Sequence, residues 1–214
     1  MTAFASLCLG LIVLGLLLAI GWRLASHRYE IPCPSWLGWM VEMDNPFTTT
    51  NRAATIIAHL ELQPGMHVLD FGCGPGRLSL PLAAQVGPQG EVLAVDIQEA
   101  MLERVRAKAQ AAKLDNIRFL QAAAGDGKLG INLFDRALLV TVLGEIPDAA
   151  PVMQEIFAAL KPGGRLSVTE IVFDPHYQTR ATVLRLAMAA GFREQAFFGN
   201  RMAYTLNLEK PRQS

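Results

Sequence analysis

The stretch VLDFGCGPGR, Val68 to Arg77, decides how this chain folds. It opens as a short apolar run and continues with three glycines, Gly72, Gly74 and Gly76. An apolar run of this length, bounded by turn residues, reads as a buried strand. Glycine carries no Cβ, so the backbone after the strand turns sharply and a ligand can approach it closely. The following PGRLSLPLAAQV reads as a helix with Pro75 near its first turn. A second strand, EVLAVD, then ends in Asp96. An acid at the end of that strand can accept hydrogen bonds from both hydroxyls of a ribose.

Outward from this unit the pattern keeps alternating. MHVLDF is the first strand. QEAMLERVRAKAQAAKL is a long amphipathic helix, NIRFLQ a third strand, FDRALLVTVL a fourth and DAAPVMQEIFAAL a helix. KPGG reads as a turn ahead of the strand RLSVTEIVF. YQTRATVLRLAMAAGF is a helix ending in glycine, and REQAFF with RMAYTLNLEK reads as a hairpin around Gly199-Asn200. Upstream, TTTNRAATIIAHLEL reads as a helix with a threonine cap. Strands alternating with helices give an α/β fold, a Rossmann-like doubly wound parallel sheet, and the hairpin adds an antiparallel edge.

The motif argues against a dinucleotide. That fingerprint wants a third glycine at the sixth position of the motif, and here the sixth residue from Gly72 is Arg77. Asp70, two residues before the loop, opposes a pyrophosphate and suits a cationic ligand bearing an amino group and a sulfonium. That ligand is S-adenosylmethionine. The chain resembles the class I S-adenosylmethionine-dependent methyltransferases over about residues 45 to 210. The resemblance is carried by VLDFGCGPGR, LAVDIQEAML, FDRALLVTVLGEIPD and ALKPGGRLSVTE. It implies a seven-stranded sheet ordered 3-2-1-4-5-7-6 with the last strand antiparallel. It also implies a cofactor site built from Asp70, Gly72, Cys73, Gly74, Gly76, Asp96, Ile97 and Thr141. Many members place an acid after the third strand to meet the adenine amino group. Here that register holds Ala122, Ala123 and Ala124, which leaves the role to Asp126 or to backbone groups.

The first residues have a different character. Ala3 to Trp22 carry no charge, and as a helix these 20 positions would reach about 30 Å, the thickness of a hydrocarbon core. A secretory signal would open with basic residues, which MTAF lacks, and a core helix would show a polar face. A single-pass anchor over residues 1–23 is the better reading. A linker over 24–44 and a catalytic domain over 45–214 follow it. Arg23, His27 and Arg28 put the C-terminal side in the cytoplasm. Trp36, Trp39 and Met40 in the linker suit either packing on the domain or the headgroup layer.

Composition narrows the partners. The chain has 214 residues with 19 basic and 19 acidic, so no broad basic field exists to hold nucleic acid. Cys8, Cys33 and Cys73 suggest no disulfide framework, and no His/Cys spacing reads as a zinc site.

Methyl transfer from a sulfonium is an in-line displacement, which asks the protein mainly to align the reactants. Three stretches should line the acceptor pocket: TVLGEIPD with Thr141, Glu145 and Asp148; TEIVFDPHYQTR with Glu170, Asp174, His176 and Tyr177; and DNPFTTTNR with Asn51 and Arg52. His176 is the most base-like group, with Glu145 and Asp174 the other catalytic candidates. Asp174 equally suits capping the following helix. The expected activity is methyl transfer to a small hydrophobic or membrane-associated, lipid-like acceptor by a membrane-anchored enzyme. The competing readings are a non-catalytic scaffold that binds the cofactor, a nicotinamide-dependent oxidoreductase and a protein methyltransferase.

Overall fold

The computed structural model describes residues 4–11, 13–15, 17, 21, 42, 44 and 48–212. Among the described residues of the domain, seven strands are β1 (His67–Phe71), β2 (Glu91–Asp96), β3 (Ile117–Gln121), β4 (Phe134–Val140), β5 (Leu160–Ile171), β6 (Arg193–Gly199) and β7 (Ala203–Glu209). Five helices accompany them: α1 (Ala53–His59), α2 (Ser79–Val86), α3 (Glu99–Ala111), α4 (Ala149–Ala159) and α5 (Arg180–Ala190). The strands form one sheet in the order β3-β2-β1-β4-β5-β7-β6. Neighbours from β3 to β5 pair parallel, while β7 is antiparallel to both β5 and β6. This is the strand order that the family resemblance implies, and its parallel body and antiparallel edge are those of the alternating pattern and the closing hairpin.

Alternation along each strand sends side chains into two cores. Val68, Val92, Ala94 and Leu138 face Ile56, Leu82, Leu102 and Val105 of α1, α2 and α3. Leu69, Val95, Leu139, Val168 and Leu206 face Met153 and Ile156 of α4 and Val183 and Ala187 of α5. A central parallel strand is therefore apolar on both faces, which is why VLDF and ALLV show little polar alternation. Two buried cations tie distant pieces together. Arg136 on β4 donates from Nε to the Leu60 carbonyl at 2.6 Å, fixing the end of α1. Lys210 donates from Nζ to the Leu160 carbonyl at 2.6 Å, where α4 ends.

Four local expectations need correction. KPGG does not stand apart as a turn: β5 begins at Leu160, immediately after α4, and the register jumps from Phe134↔Leu160 to Arg136↔Arg165. The Pro-Gly-Gly residues are thus taken up as a bulge against β4. Helix α1 has Arg52 rather than a threonine at its N-cap, and Asp44 from upstream accepts the Ala53 N–H at 2.9 Å. Pro75 does not open α2, which starts at Ser79 after a run of turns through Leu78. Asp174 does not cap α5. Thr179 does, accepting the Thr182 N–H at 3.2 Å, whereas Asp174 accepts the His176 N–H at 2.7 Å.

At the N-terminus, residues 4–11, 13–15, 17 and 21 are helical, and Phe4, Leu7, Leu9, Leu11, Leu14 and Leu17 are exposed. Among the described residues no helix is long and apolar enough to cross a membrane. Part of the expected 3–22 span lies outside the described residues. So do Arg23, His27, Arg28, Cys33, Trp36, Trp39 and Met40, and all of the linker except Glu42 and Asp44.

Candidate functional site

The carboxyl ends of the parallel strands form the working edge, as open α/β sheets require. Beyond β1 the glycine loop is folded back onto β2. Gly72 and Cys73 both donate their N–H groups to the Val95 carbonyl, at 2.8 and 2.9 Å. Gly72 has φ +73°, and a Cβ there would lie 2.7 Å from Cγ1 of Val142 and closer still to its Cγ2. Gly76, at φ +89°, faces Leu80 and Val105 at 2.9 and 3.0 Å from where its Cβ would be. The first glycine thus admits the loop after β4 and the third admits α2 and α3. Arg77, which stands where a dinucleotide site has its third glycine, does not crowd this packing. Its guanidinium turns away to the Asn51 carbonyl at 2.7 Å, the Asn51 side chain at 3.2 Å and Asp44 at 3.1 Å. It ties the segment before α1 to the loop.

Two acids lie under this loop. Asp70 is 3% exposed and accepts a 2.6 Å hydrogen bond from the Ser79 hydroxyl. Burial pushes its carboxyl up to about 6, against the opposing pull of Ser79 and Arg77. Asp96 accepts the Gly74 N–H on one oxygen and the Gln98 N–H on the other, both at 2.9 Å. Burial raises its pKa while those backbone donors lower it. Each Asp96 oxygen keeps a lone pair for a further donor, as a ribose needs. Ile97, next in sequence, is exposed and offers an apolar surface beside it. Cys73 is buried, and desolvation with the charges of Asp70 and Asp96 raises its thiol well above the ordinary range. It is a packed thiol rather than a nucleophile.

Asp126 lies in an exposed loop, and its carboxylate takes the Lys128 ammonium at 2.9 Å and the Ala123 N–H at 3.2 Å. Those bonds, both to Oδ2, lower its pKa and tie the carboxylate to its own loop. Thr141, at the end of β4, sits at φ +54°, unusual for a β-branched residue. Its N–H reaches the Thr169 carbonyl at 2.9 Å, and its hydroxyl the Val140 carbonyl at 2.7 Å.

The acceptor-side stretches come together only partly. After β4 a 3₁₀ turn, Leu143–Glu145, packs on the segment after β5. A Cβ on Gly144 would overlap the His176 carbonyl and lie 2.8 Å from Nε2 of Gln178. His176 is buried, with Nδ1 3.9 Å from Asp174. Glu170, at the end of β5, is 1% exposed and accepts the Gln178 N–H at 3.0 Å. Tyr204 donates to the Gln178 carbonyl at 2.8 Å and Tyr177 to the Arg201 carbonyl at 2.7 Å. Asp148 is instead the cap of α4, accepting the Ala150 N–H at 3.1 Å. Arg52 is exposed. Sequence reasoning missed Ser79 and Val142. Ser79 has no distinguishing signal, but Val142 follows the strand whose end must meet the loop. Among the described residues no cluster of His, Cys, Asp and Glu has a metal-binding arrangement.

A glycine cradle free of side chains, a ribose-competent Asp96 and a buried carboxylate at Asp70 fit S-adenosylmethionine, and they define a class I α/β enzyme that uses it. The comparisons agree. A family model described as a methyltransferase domain matches residues 62–203. The chain belongs to that methyltransferase family. A protein named demethylmenaquinone methyltransferase from Symbiobacterium thermophilum is 37% identical over 115 residues, 53% of this chain and 46% of that one. One of the same name from Lactococcus lactis is 39% identical over 106 residues, 50% and 42% of the two chains. The chain spans about half the length of the curated relatives it matches. A SAM-dependent methyltransferase structure from Aquifex aeolicus shares the fold, with TM-score 0.75 and 19% identity over 84% of this chain and 100% of that one. The nicotinamide reading is set aside on these grounds.

Proposed function

We propose that this enzyme methylates a small, apolar, membrane-partitioned acceptor with a quinol-like ring. The carrying observation is the acceptor-side rim. Phe173 and Met202 are 65% and 58% exposed, and Val172 donates to the Met202 carbonyl at 2.7 Å, so the two loops that bear them are joined. An apolar rim at the working edge suits an apolar acceptor better than a charged one. The demethylmenaquinone name of the relatives supports the same class, and the zero formal charge supports a small molecule over nucleic acid.

When bound, S-adenosylmethionine would supply an electrophilic methyl group, its sulfonium sulfur keeping the S–CH₃ electron pair. The chain's own part is alignment and proton removal. His176 takes the proton that the acceptor ring or its hydroxyl loses, with Asp174 beside it at 3.9 Å from Nδ1, and Glu145 lines the same wall. Asp70, Gly72, Cys73, Gly74, Gly76, Asp96, Ile97 and Thr141 hold the cofactor, and the adenine end is met by backbone after β3 rather than by Asp126.

Residues 1–23 anchor the chain with its catalytic domain, 45–214, on the cytoplasmic side of the bilayer and 24–44 as tether. The exposed leucines of the N-terminal helix support this. The test is methyl transfer from labelled S-adenosylmethionine to reduced demethylmenaquinone in vesicles holding the full chain. Methylated quinol is expected. Cofactor binding without transfer to this quinol would overturn the acceptor assignment.

A further inference from the structure

Glu170 is a buried carboxyl that cofactor binding does not use. One oxygen accepts the Gln178 N–H at 3.0 Å, and the other, Oε1, is shut off from solvent with no hydrogen-bond partner. A buried ionised carboxylate with an empty oxygen is costly, whereas the neutral acid needs far less. Its surroundings also disfavour a charge. Glu145 faces it from the turn after β4, and Asp174 from its own loop. His176 and Tyr177 stand on that same loop, Tyr204 lies directly across the ladder on β7, and Arg180 heads α5, where Glu194 engages it in a bidentate pair. No cation pairs with Glu170 among the described residues.

The group sits at a junction. Gln178, whose N–H it holds, donates its side-chain amide to the His176 carbonyl at 3.1 Å and accepts the Tyr204 hydroxyl at its own carbonyl. That same His176 carbonyl lies against Gly144, where no side chain would fit. One carboxyl therefore joins β5, the segment from Asp174 to Gln178, the turn after β4 and β7.

We propose that protonated Glu170 is the positioning residue of the acceptor wall, holding Asp174–Gln178 against Gly144 so that His176 and Tyr177 are set for the acceptor. Loss of its proton strengthens the Gln178 N–H bond itself, but it places a third negative charge beside Glu145 and Asp174 away from water, and hydration of that charge draws the segment off Gly144. Burial as the leading cause, with those two acids, pushes the carboxyl up to about 8, which puts release in the alkaline range. The inference rests on the reading that the loops after β4 and β5 face the acceptor.

The test compares the full chain with Glu170→Gln, an uncharged isostere that still offers an oxygen to the Gln178 N–H. The first arm is amide hydrogen exchange of residues 172–179, corrected for the intrinsic pH effect. Wild type should lose about tenfold in protection from pH 7 to pH 9, as the neutral fraction falls, and Glu170→Gln should lose none. The second arm is kcat/KM for reduced demethylmenaquinone over the same range. The ratio of the pH 9 to the pH 7 value should be about tenfold higher in Glu170→Gln than in wild type. An equal fall in wild type and variant, in either arm, overturns the proposal. Should the wild type transfer no methyl to this quinol, the acceptor assignment fails and the exchange arm alone decides the role of Glu170.

Discussion

Replacing Gly72 by alanine tests the link between the cofactor loop and β4. Two costs add. The backbone stands at φ +73°, where an L side chain is strained by about 1–2 kcal/mol. The new methyl would also lie 2.7 Å from Cγ1 and 3.1 Å from Cβ of Val142. Valine is branched at Cβ and cannot rotate both methyls away, so its backbone must yield at an overpacking cost of about 1–3 kcal/mol. Together Gly72→Ala should destabilise the domain by about 2–5 kcal/mol and weaken S-adenosylmethionine at least about tenfold. The assay is urea unfolding and calorimetric titration of the full chain in mild detergent, run on Gly72→Ala, Val142→Ala and the double variant. Trimming Val142 to alanine removes the clashes with its two Cγ methyls but leaves the tight 3.1 Å approach to its Cβ and the strain at φ. The double variant should therefore be less destabilised than the sum of the singles by about 1–3 kcal/mol. Additivity within about 0.5 kcal/mol would refute the close packing of these loops.

Three other outcomes are expected. Asp70 has its pKa raised from 3.8 to about 6, so its ionisation opposes folding; stability falls as pH rises from 3.8 to 6, by about 3 kcal/mol in all. A bound sulfonium cofactor favours the ionised form, so S-adenosylmethionine affinity should fall as pH drops below 6 and binding should release a proton there. Calorimetry in buffers of different ionisation heat measures this, and Asp70→Asn should abolish it. Glu170 has its pKa raised from 4.5 to about 8, so wild-type stability should fall across that window by about 1.4 kcal/mol per pH unit from this group, toward a limit of about 5 kcal/mol. Glu170→Gln should match wild type at pH 4 and exceed it in urea unfolding at pH 8. Arg77→Lys keeps the charge but loses the fork that holds Asn51 and Asp44. It should cost about 1–3 kcal/mol and speed proteolysis between residues 44 and 52.

The fold and half of the site were legible because they depend on neighbours in sequence. VLDF followed by three spaced glycines and then a helix needs only local spacing to be read, and EVLAVD ending at Asp96 likewise. Both strands form where the pattern places them, while the helix between them starts later, at Ser79. The closing hairpin around Gly199 follows from local turn chemistry in the same way. The acceptor side was legible only as a list of polar residues in loops. His176 stood out only by its side-chain chemistry, and nothing local told that it and Glu170 are buried while Glu145 is not.

The sequence by itself determined the alternating α/β pattern and the cofactor edge, since periodicity and glycine spacing are short-range constraints on the backbone, while Asp70, Arg77 and the family resemblance pointed to S-adenosylmethionine and the strand order. Only the tertiary structure decided what each acid does. Asp126 is held by its own loop, Asp148 caps a helix, and Asp70 is sealed beneath Ser79. Glu170 is closed in by β7 and by the turn at Gly144, both far from it in sequence. Ionisation depends on the water and the charges that distant segments exclude or bring near, and those distances exist only once the chain has folded.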